Sequence, residues 1–393
     1  FLHGIMGSNL ITREKDGDED LIWVSILRLA QGQIERLRLT PDGKKEADTD
    51  FVVEPTDLDK RTYARAILWL RARWNVQPFA YDWRKDIDTA SDALAGFIKS
   101  KFGDAPVNLV AHSMGGLVSR NFILRHRDMW EKMRGGSSGS GGRLIMIGTP
   151  NYGSFVIPQT FTGTEKMVKV LAFADMNHSM QSILKTLNSF VGCYMMLPAP
   201  SKISASSQVI YREESWGEFP VNPQHLKRAA EFHSALDIKE TKDPERMVYI
   251  AGCNRETLSG IKLVDPGEFD YTITYDGDGR VTHALGLLEN VPTYYVEETH
   301  GDLTKNEKVL AAVDEILEHG QTTVLSAHPL VSRGVTAGEL QWKRPAGEQQ
   351  LERELRDIAS MAEEKTATAD DLRYAEETIT RAVTGGRHHP LKQ

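Results

Sequence analysis

Cysteine is nearly absent. Cys193 and Cys253 are the only two in 393 residues, which excludes a disulfide-stapled scaffold and leaves two unpaired core thiols as the expectation. No apolar run approaches the ~18 residues that a membrane-spanning helix needs. Positive charge is in deficit, with 47 Lys and Arg against 55 Asp and Glu and a formal net charge of −8. Nothing therefore favours a nucleic-acid partner held through its phosphates. Zinc-type His/Cys spacings and a phosphate-cradling glycine loop are missing too, so neither metal nor cofactor is expected. What remains is an ordinary globular composition, long enough for one large α/β domain with an insertion, or for two domains. A cytoplasmic location is expected rather than a secreted one, although the chain opens at Phe1-Leu2-His3-Gly4, which reads as the end of a strand.

The most informative segment that is present is Leu109-Val110-Ala111-His112-Ser113-Met114-Gly115-Gly116-Leu117-Val118. A β-prone run ends in a small-His-Ser-x-Gly-Gly turn and passes directly into a helical pattern. That is the layout of a nucleophile elbow, which lifts a serine hydroxyl above a parallel sheet. Ala111 stands where such turns usually carry their first glycine, and residues larger than Ala111 or Gly115 would collide across the turn. The helix that follows aims its unpaired N–H groups at the place where an oxyanion would form.

Around this segment, strand and helix signals alternate. Helices are expected at Thr62–Arg73, Ala90–Phe102 and Gly116–Arg127, and strands at Val76–Ala80, Val107–Ala111 and Leu144–Ile147. This alternation implies an α/β fold with a mainly parallel sheet covered on both faces. Residues 11–60 are polar and irregular and read as a surface excursion. Gly135–Gly142 reads as a flexible low-complexity linker without chemistry. Helical segments at Glu165–Ala174, Met180–Phe190 and Leu226–Leu236 suggest a cap. Strands return at Tyr249–Ala251, Thr272–Tyr275 and Tyr294–Val296, followed by a helix over Asn306–His319. The expected division is a core over 1–154 and 246–325, a helical cap over 155–245, and a helical tail or linker over 326–393. In the tail, Leu351, Leu355, Ile358 and Met361 follow a helical spacing suited to packing, and further domains beyond it are left open.

A serine nucleophile needs a base, and the base needs a carboxylate that fixes its tautomer. In this class of fold the chain order is serine, acid, histidine. Asp278, in Asp276-Gly277-Asp278-Gly279-Arg280-Val281, follows the Thr272–Tyr275 strand and is the expected acid, with Asp276 its local competitor. His300 follows the last strand and is the expected base. His112 should point away from Ser113, and His283 lies too close to Asp278 in sequence to come from a separate strand end. The oxyanion donors expected are the backbone N–H groups of Met114 and Ile5. Tyr81-Asp82-Trp83-Arg84 reads as a brace, with Asp82 paired to Arg84 and Trp83 packed beneath. Phe155, Val156, Ile157, Phe161, Val168, Leu171 and Phe173 either line an acyl tunnel or form the core of the cap.

These motifs, in order, resemble the lecithin:cholesterol acyltransferase-like family of α/β-hydrolases. The resemblance rests on His3-Gly4-Ile5-Met6-Gly7-Ser8-Asn9-Leu10, Tyr81-Asp82-Trp83-Arg84, Ala111-His112-Ser113-Met114-Gly115-Gly116 and Gly148-Thr149-Pro150-Asn151-Tyr152-Gly153-Ser154. It continues through Met195-Met196-Leu197-Pro198, the Asp276–Val281 loop and His300-Gly301-Asp302-Leu303. It implies an α/β-hydrolase fold with a helical cap and acyl transfer from lipid-like esters to water or an alcohol, with peripheral lipid-surface contact left open. It also favours Asp278 over Asp276. The chain departs from the family where proline often precedes the glycine of the first motif and His3 stands here, and where threonine often occupies the position of Arg280. Two other functions stay open at this level: an esterase of small soluble esters, and a non-catalytic α/β-hydrolase interaction module.

Overall fold

The computed structural model describes residues 1–135, 141–330, 340–341, 356–362 and 366–386. Most of the linker (136–140) and two of the tail positions named above, Leu351 and Leu355, lie outside the described residues.

The polar segment after residue 10 is ordered, contrary to expectation. Strands β1 (Ser8–Glu14), β2 (Glu19–Trp23) and β3 (Phe51–Leu58) form an antiparallel sheet in the order β2-β1-β3. Its inner face buries Leu10, Ile22, Trp23, Phe51 and Val53. Its outer face carries charge, and Arg13 of β1 pairs with Glu54 of β3 at 3.1 Å. Strands with one charged face look polar when read as a continuous window, which hides their alternation.

Four further strands are parallel and adjacent in the order β4 (Leu109–His112), β5 (Leu144–Ile147), β6 (Met247–Gly252) and then β9 (Thr293–Val296). Between β6 and β9 in sequence, β7 (Thr257–Asp265) and β8 (Glu268–Thr274) form a separate antiparallel hairpin. The expected Thr272–Tyr275 strand belongs to that hairpin and not to the parallel sheet. Leu2 extends the parallel sheet beyond β4 by bridging both Ala111 and Phe79, and Phe79 is all of the expected Val76–Ala80 strand that pairs.

Alternate residues of the parallel strands feed two cores, as burial on both faces requires. Val110, Ile145, Ile147, Val248 and Ile250 pack with Leu70 of helix α1 (Lys60–Arg71) and with Val309, Val313 and Ile316 of the Glu307–His319 helix. Leu109, Ala111, Leu144, Met146 and Tyr249 pack on the other side with Leu94 of α2 (Ile87–Phe102) and with Leu117 and Phe122 of α3 (Met114–Arg125). Helices on both faces of a parallel sheet make this an α/β-hydrolase fold. Helices Val156–Phe161, α4 (Lys166–Ala174), Met180–Leu187 and Pro223–Leu236 fall between β5 and β6. The Glu307–His319 helix is α5. In the tail, α6 (Ala369–Thr384) begins with a capping box, Thr368 and Asp371 each satisfying the other's backbone. It buries Ala375, Ile379 and Ala382 and lies against α1 and α4.

The loop after Leu2 is held by side chains that the first antiparallel sheet and the Tyr81–Arg84 segment bring to it. The His3 ring stacks on Tyr81 at 4.0 Å. Its Nε2 accepts the Tyr81 N–H at 3.2 Å, and the Tyr81 hydroxyl donates to the His3 carbonyl at 2.8 Å. Arg84 is fully buried. It donates twice to Asp82, at 2.9 and 2.6 Å, once to the Leu37 carbonyl at 2.8 Å, and once to Glu46 at 3.1 Å. Burial opposes the ionisation of both carboxylates, yet both are held below the usual range, Asp82 chiefly by the Arg84 guanidinium, and Glu46 by a backbone N–H and Lys85 with Arg84 adding to them. Trp83, also fully buried, donates to the Ser8 carbonyl. The bracing role read from the sequence is what these contacts perform, with Glu46 as a partner that no local motif announced.

Arg84→Ala leaves the Asp82 and Glu46 carboxylates without their buried partner, and chemical denaturation is expected to show a loss of about 3–5 kcal/mol. A loss below about 1 kcal/mol would show that water replaces the guanidinium freely. His3 gives a second test, since burial pushes its pKa from 6.5 down to about 3. The unfolded chain therefore takes up this proton first as the pH falls. The His3 contribution is complete above pH 6.5 and declines towards pH 3, by up to about 1.4 kcal/mol per pH unit. Denaturation midpoints across that window should fall less steeply in His3→Gln; equal slopes would contradict the assignment.

Candidate active site

Ser113 joins β4 to α3 with φ 54° and ψ −125°, a backbone that side-chain-bearing residues rarely adopt. The surrounding close approaches explain the small residues. A Cβ on Gly4 would lie 2.8 Å from the Ser113 Cβ, and one on Gly115 would lie 2.6 Å from the His3 carbonyl oxygen. The strained turn is thus clamped between the first loop and the helix it starts. Ser113 is buried, at 6% exposure, and borders a small cavity.

The carboxylate and imidazole arrive from two separate loops. Asp278 does not sit at a strand end as the sequence suggested; it lies in the crossing after β8, where it bridges Arg255 in parallel while Gly277 bridges Thr282. Its Oδ1 accepts the backbone N–H groups of Arg280 at 2.9 Å and Val281 at 2.7 Å. That leaves Oδ2 for His300, whose Nδ1 donates at 2.7 Å. The His300 Nε2 then lies 2.9 Å from the Ser113 Oγ. The His300 N–H also donates to the Asp278 carbonyl at 2.8 Å, which ties the two loops by their backbones. Ser113, His300 and Asp278 therefore form one hydrogen-bonded chain, all three buried. Asp276 is exposed and takes no part, and His283 turns aside to the Gly252 carbonyl.

His112 does point away from Ser113, but it is not idle. Its Nε2 donates to the His300 carbonyl at 3.1 Å, and its Nδ1 lies 3.0 Å from the Tyr63 hydroxyl. That hydroxyl in turn accepts the Gly4 N–H at 2.8 Å. A continuous path thus runs from the first loop through Tyr63 and His112 to the His300 carbonyl. Burial pushes the His112 pKa far down, with the neighbouring His300 adding to the effect, so the ring is neutral. That is consistent with Nδ1 accepting and Nε2 donating. Tyr63, on α1, was missed because a lone tyrosine on a helix carries no spacing signal.

Of the two expected oxyanion donors, Met114 opens α3, where an N–H has no partner within the helix. Ile5 borders the cavity at Ser113, and its N–H makes no hydrogen bond among the described residues. That cavity holds about 60 Å³ and is lined chiefly by Ile5, Met6, Val156, Ile157, Met167 and Met196, with Arg280 at one side. Of the apolar cap residues named from the sequence, only Val156 and Ile157 reach it. Phe161, Val168 and Leu171 are cap core, and Phe155 faces a different groove, beside the β7–β8 hairpin. Cys193 also lines the cavity; it and Cys253 are unpaired and buried. Among the described residues, no group of three His, Cys, Asp or Glu side chains is arranged to hold a metal ion.

The family described as lecithin:cholesterol acyltransferase matches residues 69–242, a segment that contains Ser113 and stops before Asp278 and His300. No curated protein matches the sequence. Among solved structures, the chain is similar to one in the Tle4–Tli4 complex, at 14% identity and a TM-score of 0.49 over 81% of this chain and 97% of that chain. It is also similar to the mature lipase BlEst2 of Bacillus licheniformis, at 15% identity and a TM-score of 0.33 over 60% of this chain and 74% of that chain. The family match covers less than half of the chain, and the parallel β4-β5-β6-β9 order agrees with the α/β-hydrolase fold that the motifs imply.

Proposed function

We propose that the protein is a serine-dependent acyltransferase or hydrolase of lipid-like esters, with Ser113 as nucleophile, His300 as general base and Asp278 as its carboxylate. The observation that carries this reading is the Ser113–His300–Asp278 chain, with links of 2.9 and 2.7 Å and the serine on an elbow backbone. His300 takes the Ser113 proton as Oγ attacks the ester carbonyl. Asp278, oriented by two backbone N–H groups, stabilises the imidazolium that results. The N–H groups of Met114 and Ile5 hold the oxyanion, each worth ~3–4 kcal/mol to the barrier. The leaving alcohol receives the proton from His300. Water or a second alcohol then attacks the acyl-enzyme, and the same imidazole takes its proton.

The small cavity at Ser113 favours a second reading of the substrate, in which short soluble esters are preferred over lipids. Both readings share the chemistry and differ in acyl length.

A fluorophosphonate probe is expected to label the wild type and to fail on Ser113→Ala. On His300→Ala, labelling should slow by about 10³-fold or more, and Asp278→Asn should reduce kcat by about 10⁴-fold. Labelling of a folded Ser113→Ala at the wild-type rate, or none of the folded wild type, would sink the proposal. Tyr63→Phe keeps the ring packing but removes the link between Gly4 and His112. Its expected signature is a fall in kcat of about tenfold with KM little changed, because only the geometry of the reacting groups is loosened.

A further inference from the structure

The cavity that holds Ser113 is too small for the ester of a fatty acid. About 60 Å³ compares with the ~300–1,000 Å³ usual for a site that encloses an organic ligand. A second cavity of about 230 Å³ lies beside it, and Val156 and Arg280 belong to the walls of both. Its other walls come from the start of α4, from the β7–β8 hairpin, and from Thr378, Arg381, Ala382, Gly385 and Gly386 of the tail.

Arg280 is fixed from three directions. Its backbone N–H is held by Asp278, and its carbonyl accepts the Ser154 hydroxyl. Its guanidinium pairs with Glu165 at 2.8 Å, a buried carboxylate that also caps α4. The same guanidinium donates to the Ala382 carbonyl near the C-terminal end of α6, where a cation is favoured by the helix dipole. The chain then turns so closely over Arg280 that a Cβ on Gly385 would lie 2.8 Å from its Nε. Gly386 comes to rest against Asp302, two residues after His300. The tail end thus touches both loops that carry the acid and the base. At its other side, α6 is pinned by an ion pair between Glu376 and Arg61 of α1.

Resting on the reading of Ser113 as a nucleophile, we propose that Arg280 is the gate that sets acyl length. Held by Glu165 and the α6 end, its side chain divides the catalytic cavity from the larger one. Esters with short acyl chains fit the closed state. Longer chains require Arg280 to swing aside and the tail end to yield, which joins the two spaces.

The test is the ratio of kcat/KM for a nitrophenyl octanoate to that for the acetate, measured on the full chain. Arg280→Ala should raise this ratio by about tenfold, and Arg280→Lys, which can still reach Glu165, should return it towards the wild-type value. Glu376→Gln, remote from the reacting groups, loosens α6 and should move the ratio in the same direction by a smaller factor. It also decides the matter if Arg280→Ala does not fold. Ratios unchanged from wild type in these folded variants, or falling, overturn the gate while leaving the hydrolase reading intact. A wild type that neither cleaves the acetate nor takes the fluorophosphonate fails at the earlier step instead.

Discussion

Everything at the site depends on one strained residue. Ser113 holds a positive φ between a buried strand and a helix, and such a conformation survives only where its surroundings over-determine it. Those surroundings are identifiable. The sheet fixes β4 through its pairing with β5, α3 buries nearly every residue of its first three turns, and the first loop closes over the turn at distances that only glycine permits. The base and acid are then brought to the raised hydroxyl by loops that bond one another through backbone as well as side chain. Moving the serine off its perch would undo the purpose of each of these supports at once.

The polar machinery is supported by a second layer that is itself buried. Arg84 gathers two carboxylates and a carbonyl beside Tyr81 and Trp83, which hold the first loop, while Tyr63 and His112 connect that loop to the carbonyl of His300. Buried polar groups of this kind are costly when incomplete and rigid when satisfied. Here they are satisfied, and the rigidity falls on the two loops whose relative position fixes the distance between Ile5 and His300.

Much of this was legible in the sequence because it is local. The elbow, the β4 strand before it and the α3 helix after it follow from periodicity and small residues within a dozen positions of Ser113. Chain order singled out Asp278 and His300, which the structure brings together with Ser113, although the strand thought to deliver Asp278 pairs in a hairpin outside the parallel sheet. What escaped the sequence is non-local. Glu46 meets Arg84 from 38 residues away, and Tyr63 finds His112 across 49. The β1–β3 sheet was hidden because its outer face is charged, so that each strand reads as polar over its whole length. The role of the tail against Arg280 escaped for the same reason, since a helical spacing says that a face is covered and not what covers it.

The path from Gly4 to His300 also bears on how the molecule comes to be active. Its links join residues separated by 59, 49 and 188 positions. Contacts of such separation form late, after the entropy of closing long loops has been overcome. A chain that lacks the segment after β9 holds Ser113 at the end of β4 without the His300 ring beside it. The proposed nucleophile would therefore gain its base only once the last parallel strand and the loop that follows it are in place.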